Sequence, residues 1–142
     1  MIIRQATPQD TEACVSILIG WIEETPWMPM IHSRASQLEF WRNRLKTGGW
    51  LAEENGTVLG FARKEAGHLN ALYLAPEGRG RGIGKALLEA ACAGEERITL
   101  YVFVANERAR RFYKRAGFVE VSRTDGDNEE GLPDILLARQ AR

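Results

Sequence analysis

The apolar residues of this chain change their period several times, and each change marks a predicted element. Residues 2–6 alternate as a short strand, and from Thr7 the apolar positions recur every three or four residues as far as Trp21. That spacing is typical of a helix with one buried face. Because Pro8 follows Thr7 and Asp10 lies in the first turn, Thr7 is the predicted N-cap of this helix.

Two prolines interrupt the next segment, so residues 23–33 are predicted to form an irregular loop. Ser36 and Glu39 fit the pattern of a capping box and predict a second helix. The glycine pair at 48–49 is expected to end it. This part of the chain therefore predicts two consecutive helices before the next strand.

Asn55-Gly56 lies between the strand-like segments 50–53 and 57–64, and this dipeptide fits the tight turn of a hairpin. Further strands are predicted over residues 69–75, 97–104, 118–123 and 135–138, with one helix that buries Ile83, Leu87, Ala90 and Ala91 and another that Asn106 caps. The resulting order, β-α-α-β-β-β-α-β-α-β-β, predicts a mixed α/β fold (α+β mixed) in a single domain over residues 1–142.

The segment Arg79-Gly80-Arg81-Gly82-Ile83-Gly84 joins a predicted strand to an amphipathic helix. Glycines let successive backbone N–H groups point into one concavity, and the helix N-terminus adds partial positive charge. A pyrophosphate group is the predicted occupant. The segment does not fit the dinucleotide fingerprint, because Lys85 stands where a glycine is required. It does not fit the P-loop either, because Ala86 stands where that loop has Ser or Thr.

Arg79, Gly82 and Gly84 fit the pattern R-x-x-G-x-G, and residues 106–118 form a second motif, NERARRFYKRAGF. Together these segments resemble the two signatures of the GNAT N-acetyltransferase superfamily, in the order that the family has them. The resemblance implies the GNAT fold, a twisted mixed sheet of about seven strands flanked by about four helices. In that fold the two middle parallel strands, here 69–75 and 97–104, diverge at their C-terminal ends.

The resemblance also implies acetyl-CoA as the cosubstrate, with its pantetheine arm in the gap between the diverging strands. The strand before the glycine loop is expected to pair with the pantetheine amides as an added strand. The N–H of Tyr73 or Leu74 is expected to face the thioester oxygen. Asn106 is expected to bind the cofactor as well as to cap its helix, with capping alone as the alternative. The expected cofactor-binding residues are Leu72, Tyr73, Leu74, Arg79, Gly80, Arg81, Gly82, Ile83, Gly84, Lys85 and Asn106.

Tyr113 stands where members of the superfamily carry the tyrosine that protonates the departing thiolate, so the resemblance implies that Tyr113 is the catalytic acid. Local structure offers an alternative. If Gly117 is the left-handed residue that ends the helix, Tyr113 and Phe118 form the apolar contact of a Schellman motif, and Tyr113 is then a packing residue. The general base stays open, and no motif supports any of its candidates, Glu23, Glu24, Asn70 through a water molecule, or Tyr73.

The acidic loop 125–130 precedes the last strand, and in the GNAT fold the final hairpin lies near the acceptor. A cationic small-molecule amine is therefore the favoured acceptor, with a protein or peptide amine as the alternative. The loop itself has a second interpretation, as a solvated turn between two strands with no role in binding. Trp27 and Met28 either line the acceptor pocket or pack between helices. A catalytically silent acyl-CoA sensor and an interaction module remain as competing functions.

The composition of the chain limits the classes of partner and ligand that it is expected to bind. The chain has 19 Lys+Arg and 19 Asp+Glu, so no overall charge favours nucleic acid or an anionic membrane. Cys14 and Cys92 lie on apolar helix faces as reduced thiols, and His32 and His68 lack the spacing of metal ligands, so no metal is expected. No apolar stretch reaches the length of a membrane span, and the N-terminus does not resemble a signal peptide. A cytoplasmic protein is expected, and a homodimer is one option for its assembly, which the sequence does not determine.

Overall fold

The computed structural model describes residues 1–140, which form one seven-stranded mixed sheet with α-helices on both faces. The strands, in the spatial order β1-β2-β3-β4-β5-β7-β6, are β1 Ile2–Gln5, β2 Trp50–Glu54, β3 Thr57–Glu65, β4 His68–Leu74, β5 Arg97–Phe103, β6 Val119–Thr124 and β7 Asp134–Gln140. The α-helices are α1 Thr11–Glu24, α2 Arg34–Arg44, α3 Ile83–Cys92 and α4 Glu107–Arg115. The predicted fold class and order of elements are confirmed.

Two apolar clusters cover the two faces of the sheet. On β4 the side chains alternate, so that Leu72 and Leu74 pack into the cluster under α3 and α4, while Ala71 and Tyr73 pack into the cluster under α1 and α2. In α3 the sealed positions are Ile83, Leu87, Leu88 and Ala91, whereas Ala90, which the pattern placed in the core, is half-exposed.

The ends of the first two helices differ from the prediction. Thr7 is the N-cap of a separate 3₁₀ turn, Pro8–Asp10, and its N–H donates to Asp10 Oδ2 at 2.8 Å, whereas the N-cap of α1 is Asp10. In addition, α1 continues past Trp21 to Glu24. The prediction of Ser36 as a cap was wrong, because Ser33 is the N-cap of α2 and its Oγ accepts the Ser36 N–H at 3.1 Å.

Local signals elsewhere were accurate. Asn55 and Gly56 both have positive φ, 52° and 78°, as a two-residue hairpin between β2 and β3 requires. Cys14 and Cys92 are buried free thiols, and burial raises the pKa of Cys14 to about 12. The predicted reduced core cysteines are confirmed.

The centre of the sheet is open at one end. The parallel strands β4 and β5 share one residue pair, His68 with Thr99, at the start of β4. On its other side β5 pairs with β7 from Arg97 to Phe103. The predicted divergence of the two middle strands is therefore confirmed, and a gap runs along β4 toward its C-terminal end.

Candidate active site

A bulge determines which backbone groups of β4 face the gap. The register between β3 and β4 shifts at Arg63/Lys64, where Asn70 becomes an extra residue on β4. The Asn70 side chain is hydrogen-bonded at the bulge, with its amide oriented so that the nitrogen donates to the Arg63 carbonyl at 2.7 Å. As a candidate base it therefore lies at the wrong end of β4, away from the open end of the gap.

Beyond the bulge, the hydrogen bonds between β3 and β4 determine which residues of β4 direct their backbone N–H and C=O groups toward β3 and which direct them toward the gap. The Ala75 N–H donates to the Leu59 carbonyl at 2.9 Å, so the backbone of Tyr73 turns toward β3. The backbones of Leu72 and Leu74 consequently turn toward the gap. Of the two N–H groups expected at the thioester oxygen, only that of Leu74 faces it.

The glycine loop presents a row of backbone donors at the end of this gap. Gly80 and Gly82 have φ of 72° and 77°, and Gly82 is the N-cap of α3. From Gly80 to Gly84 no N–H donates to an acceptor within residues 1–140, and the first amide that does so is Ala86, to Gly82 O at 3.1 Å. A Cβ at Gly80 or Gly82 would meet no atom within 4 Å. Donors without acceptors beside open space fit an anionic ligand.

Two arginines of the loop are held by carboxylates. The Arg79 guanidinium donates to Glu24 Oε1 at the end of α1 and to the Leu74 carbonyl at 3.3 Å. Arg81 donates to Glu54 Oε2 at 2.7 Å. Glu24, a candidate base in the sequence, is therefore the ion-pair partner of Arg79. The neighbouring Lys85 is exposed.

Helix α4 ends as the alternative interpretation of Tyr113 requires. Gly117 has φ 96°, its N–H donates to Lys114 O at 3.1 Å, and the Phe118 N–H donates to Tyr113 O at 3.0 Å. The rings of Tyr113 and Phe118 lie 5.5 Å apart. At the other end of α4, Asn106 Oδ1 accepts the Ala109 N–H at 3.1 Å. The Schellman motif and the Asn106 cap are both present, and neither uses the Tyr113 hydroxyl.

The Tyr113 hydroxyl belongs to a residue that is only 8% exposed. It has no hydrogen-bond partner among the described residues. Every side-chain polar atom of those residues that is completely shielded from solvent does have such a partner. The hydroxyl must therefore border accessible space. Burial raises the pKa of Tyr113 above its ordinary value, and the nearby Tyr73 contributes in the same direction. Since these two side chains belong to opposite faces of the sheet, they approach each other through the gap.

Aromatic side chains line the face of the gap on the α1 side. The Trp21 ring lies 5.4 Å from Tyr73 and 5.9 Å from Trp27, and Trp27 lies 5.8 Å from Phe103 at the end of β5. Trp27, in the α1–α2 loop, thus contacts both α1 and the end of β5. Met28 instead packs against the cluster under α1 and α2, as the packing interpretation expects.

The acidic loop before β7 separates into three environments. Asp134 is buried and accepts hydrogen bonds from Thr124 at 2.5 Å and Asn128 at 3.2 Å, so it stabilises the hairpin. Glu129 lies 3.1 Å from His32 Nε2 of the α1–α2 loop. Glu130 is half-buried and lies within electrostatic range of Tyr73.

Burial raises the pKa of the Glu130 carboxyl. Sequence reasoning missed this residue, because nothing in an acidic loop distinguishes one carboxylate from its neighbours. Glu23, the remaining candidate base on α1, is exposed.

Two further findings concern the described residues as a whole. Within residues 1–140, no three His, Cys, Asp or Glu side chains are grouped so that they could hold a metal ion. Among the helices of the same range, none has the length and apolar content needed to cross a bilayer.

The chain is similar to known acetyltransferases. The model of the Acetyltransferase (GNAT) family matches residues 17–118. Peptidyl-lysine N-acetyltransferase YiaC of Escherichia coli is 31% identical over 82% of this chain and 82% of that protein. Peptidyl-lysine N-acetyltransferase YjaB of E. coli is 36% identical over 62% of this chain and 60% of that protein.

Solved structures show the same fold. The solution structure of apo-form YjaB superposes with a TM-score of 0.78 at 27% identity, covering 97% of each chain. The structure of yncA from Salmonella typhimurium with its cofactor acetyl-CoA superposes with a TM-score of 0.76 at 20% identity, covering 99% of this chain and 93% of that one.

Proposed function

The chain belongs to the acetyltransferase (GNAT) family, and from that premise we propose that it transfers the acetyl group of acetyl-CoA to a primary amine in a ternary complex. One observation carries the proposal: the unpaired backbone donors of the glycine loop lie at the open end of the gap between β4 and β5. A long ligand with a pyrophosphate at one end and an amide-bearing arm at the other matches both features.

The residues of the gap fit acetyl-CoA. The amides from Gly80 to Gly84 would bind the pyrophosphate, with Arg79, Arg81 and Lys85 adding positive charge. The Leu72 and Leu74 backbones would pair with the pantetheine amides, and Asn106 would contact the cofactor with its remaining amide nitrogen. Arg79 and Arg81 would exchange their carboxylate partners for phosphate oxygens. The structure of yncA with acetyl-CoA supports this use of the fold.

Two groups of the chain would carry the chemistry of the leaving group. The Leu74 N–H faces the gap and would stabilise the oxyanion that forms as the amine attacks the thioester. Tyr113 would donate its proton to the departing thiolate, since its hydroxyl borders accessible space and a tyrosine is protonated at neutral pH even at its ordinary pKa of about 10. The thioester supplies the acetyl group, and no acyl-enzyme is needed.

The acceptor that we propose is the ε-amine of a lysine side chain in a protein or peptide, because YiaC and YjaB are both named peptidyl-lysine N-acetyltransferases. A small-molecule amine, which the sequence favoured, is the second candidate. The contact between His32 and Glu129 joins the α1–α2 loop to the β6–β7 loop and would favour this second candidate if it narrowed the entrance to the acceptor site. The named activities of these relatives argue against a silent sensor.

The test combines cofactor binding with turnover. Acetyl-CoA is titrated while the melting temperature is followed, and at about 100 times its Kd it is expected to add about 2.7 kcal/mol to the free energy of unfolding. Release of free thiol is then measured with a lysine peptide, Nα-acetyl-lysine amide, spermidine and phenethylamine. Turnover with the lysine compounds alone supports the first acceptor, and turnover with spermidine or phenethylamine alone supports the second.

A matched pair of glycine substitutions separates binding from folding. Gly82→Ala and Gly94→Ala both place a side chain at positive φ, 77° and 81°, where an added Cβ meets nothing within 4 Å. Both variants should lose a similar amount of stability. Only Gly82→Ala is expected to weaken acetyl-CoA binding, by about tenfold or more, because its methyl group enters the proposed pyrophosphate site. Equal affinity in the two variants would remove that site from the glycine loop.

A further inference from the structure

The loop between β6 and β7 is fixed at the open end of the gap. The N–H of Val104, directly after β5, donates to the Pro133 carbonyl at 3.0 Å and holds the loop against the end of that strand. His32 holds the other side of the loop through Glu129, with 3.1 Å between Nε2 and the carboxylate. The residues between these anchors therefore lie beside the place where the two middle strands diverge.

Hydrogen bonds inside the loop fix its backbone. Asn128 Nδ2 donates to Leu132 O at 2.8 Å and to Asp134 Oδ2 at 3.2 Å, while Asn128 Oδ1 accepts the Leu132 N–H at 3.2 Å. The Gly131 N–H donates to Asn128 O at 3.1 Å. Glu129 and Glu130 lie within this closed turn, so their positions are set by the fold.

Glu130 differs from the other carboxylates of this loop. Glu129 pairs with His32, and Asp127 is exposed, whereas Glu130 is half-buried and no basic side chain of the described residues forms an ion pair with it. The charged or titratable groups that face it are Glu129 on its own loop, His32 on the α1–α2 loop and Tyr73 on β4. A partly buried carboxylate that forms no ion pair favours a cationic ligand.

The ionisation of Glu130 suits a proton acceptor. Burial raises the pKa of its carboxyl most, and the negative charge of Glu129 adds to the effect, while a backbone hydrogen bond and His32 oppose it. A carboxylate with a raised pKa holds a proton more readily than an exposed one near neutral pH. Its neighbour Tyr73, whose pKa burial raises to about 12, stays neutral and does not compete as a base.

We propose that Glu130 binds the acceptor as its ammonium ion and removes the proton that must leave before the nitrogen can attack. This inference rests on the proposed function and names a residue for the role that the sequence left open. Trp27 and Phe103, whose rings lie 5.8 Å apart on the same side of the gap, would contact the aliphatic part of the acceptor. The ligand class is therefore a primary alkylammonium.

The protons and bonds of the step balance as follows. Glu130 takes one proton from the ammonium, and the neutral nitrogen forms a C–N bond to the thioester carbonyl carbon. The C–S bond breaks, and Tyr113 gives its proton to the thiolate. The nitrogen loses its second proton to solvent, from which Tyr113 is reprotonated. Glu130 returns its own proton to solvent, so the net products are the amide, free CoA and one proton.

The experiment compares Glu130→Gln with wild type and with Asp127→Asn, which makes the same charge change at an exposed site of the same loop. The probe is the amine with the highest turnover in the panel, and kcat/KM for that amine is measured from pH 6 to above its own pKa, about 10.4 for a lysine amine. Melting temperature and KM for acetyl-CoA are measured for each protein.

Glu130→Gln is expected to lower kcat/KM for the amine about 100-fold at pH 7, with the KM for acetyl-CoA unchanged. The deficit should shrink as the pH passes the pKa of the amine, because solution then supplies the neutral nucleophile. Asp127→Asn should stay close to wild type, and Glu130→Asp should recover part of the loss.

Each of three results would overturn the inference. The first is a Glu130→Gln variant within threefold of wild type at every pH, and the second is a deficit of the same size above pH 10.4, which would mean a purely structural loss. In both cases wild-type turnover leaves the proposed function intact. The third is a wild type that acetylates no amine in the panel, which overturns the proposed function and this inference together.

Discussion

Tyr113→Phe removes one hydroxyl and leaves the aromatic ring against Phe118. The hydroxyl has no hydrogen-bond partner among the described residues and the ring is retained, so the free energy of unfolding should change by no more than about 0.5 kcal/mol. If the hydroxyl protonates the leaving thiolate, kcat should fall about 10²–10⁴-fold, which corresponds to about 2.7–5.4 kcal/mol of transition-state stabilisation. The affinity for acetyl-CoA should stay within a factor of about two, because the hydroxyl is expected to act in the transition state.

The assay follows free thiol in steady state, with isothermal titration for acetyl-CoA and thermal denaturation for stability. Tyr101→Phe is the matched control, since it removes the same hydroxyl from a residue that is 56% exposed. A Tyr113→Phe variant with kcat within threefold of wild type would refute the acid role and leave Tyr113 as the packing partner of Phe118. A fall in stability of several kcal/mol would show that the hydroxyl has a structural partner.

Two further predictions concern folding. Gly60→Ala should lower the free energy of unfolding by about 1–3 kcal/mol, because its Cβ would lie 2.5 Å from Leu74 Cδ2 and 2.9 Å from Tyr73 O. Gly20→Ala should instead stabilise α1, because a Cβ there meets nothing within 4 Å. Urea denaturation measures both effects, and equal stabilities of the two variants would contradict them. The hydrogen bond from Arg4 lowers the pKa of Asp10 below its ordinary 3.8, so this carboxylate stabilises the fold above that pH and stops doing so as the pH falls through the lowered value. The melting-temperature difference between wild type and Asp10→Asn should therefore be constant above about pH 5 and close toward about pH 2, and a difference independent of pH would contradict the ion pair.

The sequence predicted best what depends on neighbouring residues. The Asn55-Gly56 turn and the Schellman end at Gly117 were both identified correctly, because each follows from one residue's backbone preference. The cap of α2 was misplaced because Ser33 and Ser36 are both good capping residues, and only the extended backbone at Ser33 distinguishes them.

What the sequence could not predict depends on pairing between distant segments. The bulge at Asn70 exists only relative to the register of β3, so the direction of the Leu74 N–H could not be derived from β4 alone. The contact of Trp27 with Phe103 and the partial burial of Glu130 arise because the fold brings the α1–α2 loop, the end of β5 and the β6–β7 loop together. Each of these residues is ordinary within its own segment, and their shared position is a property of the fold.

Among the described residues, one residue pair joins β4 to β5, so a small change in the angle between these strands displaces the far end of β4 most. His68 and Thr99 form the pivot, with their side chains 2.8 Å apart at Nδ1 and Oγ1. Leu74 lies at the far end of β4, about 20 Å away at about 3.3 Å per residue. A rotation of about 5° between the two halves of the sheet would move that end by about 1.7 Å, well beyond the roughly 0.5 Å tolerance of a catalytic geometry. The position of Leu74 relative to β5 is therefore sensitive to small changes in the angle between the two strands.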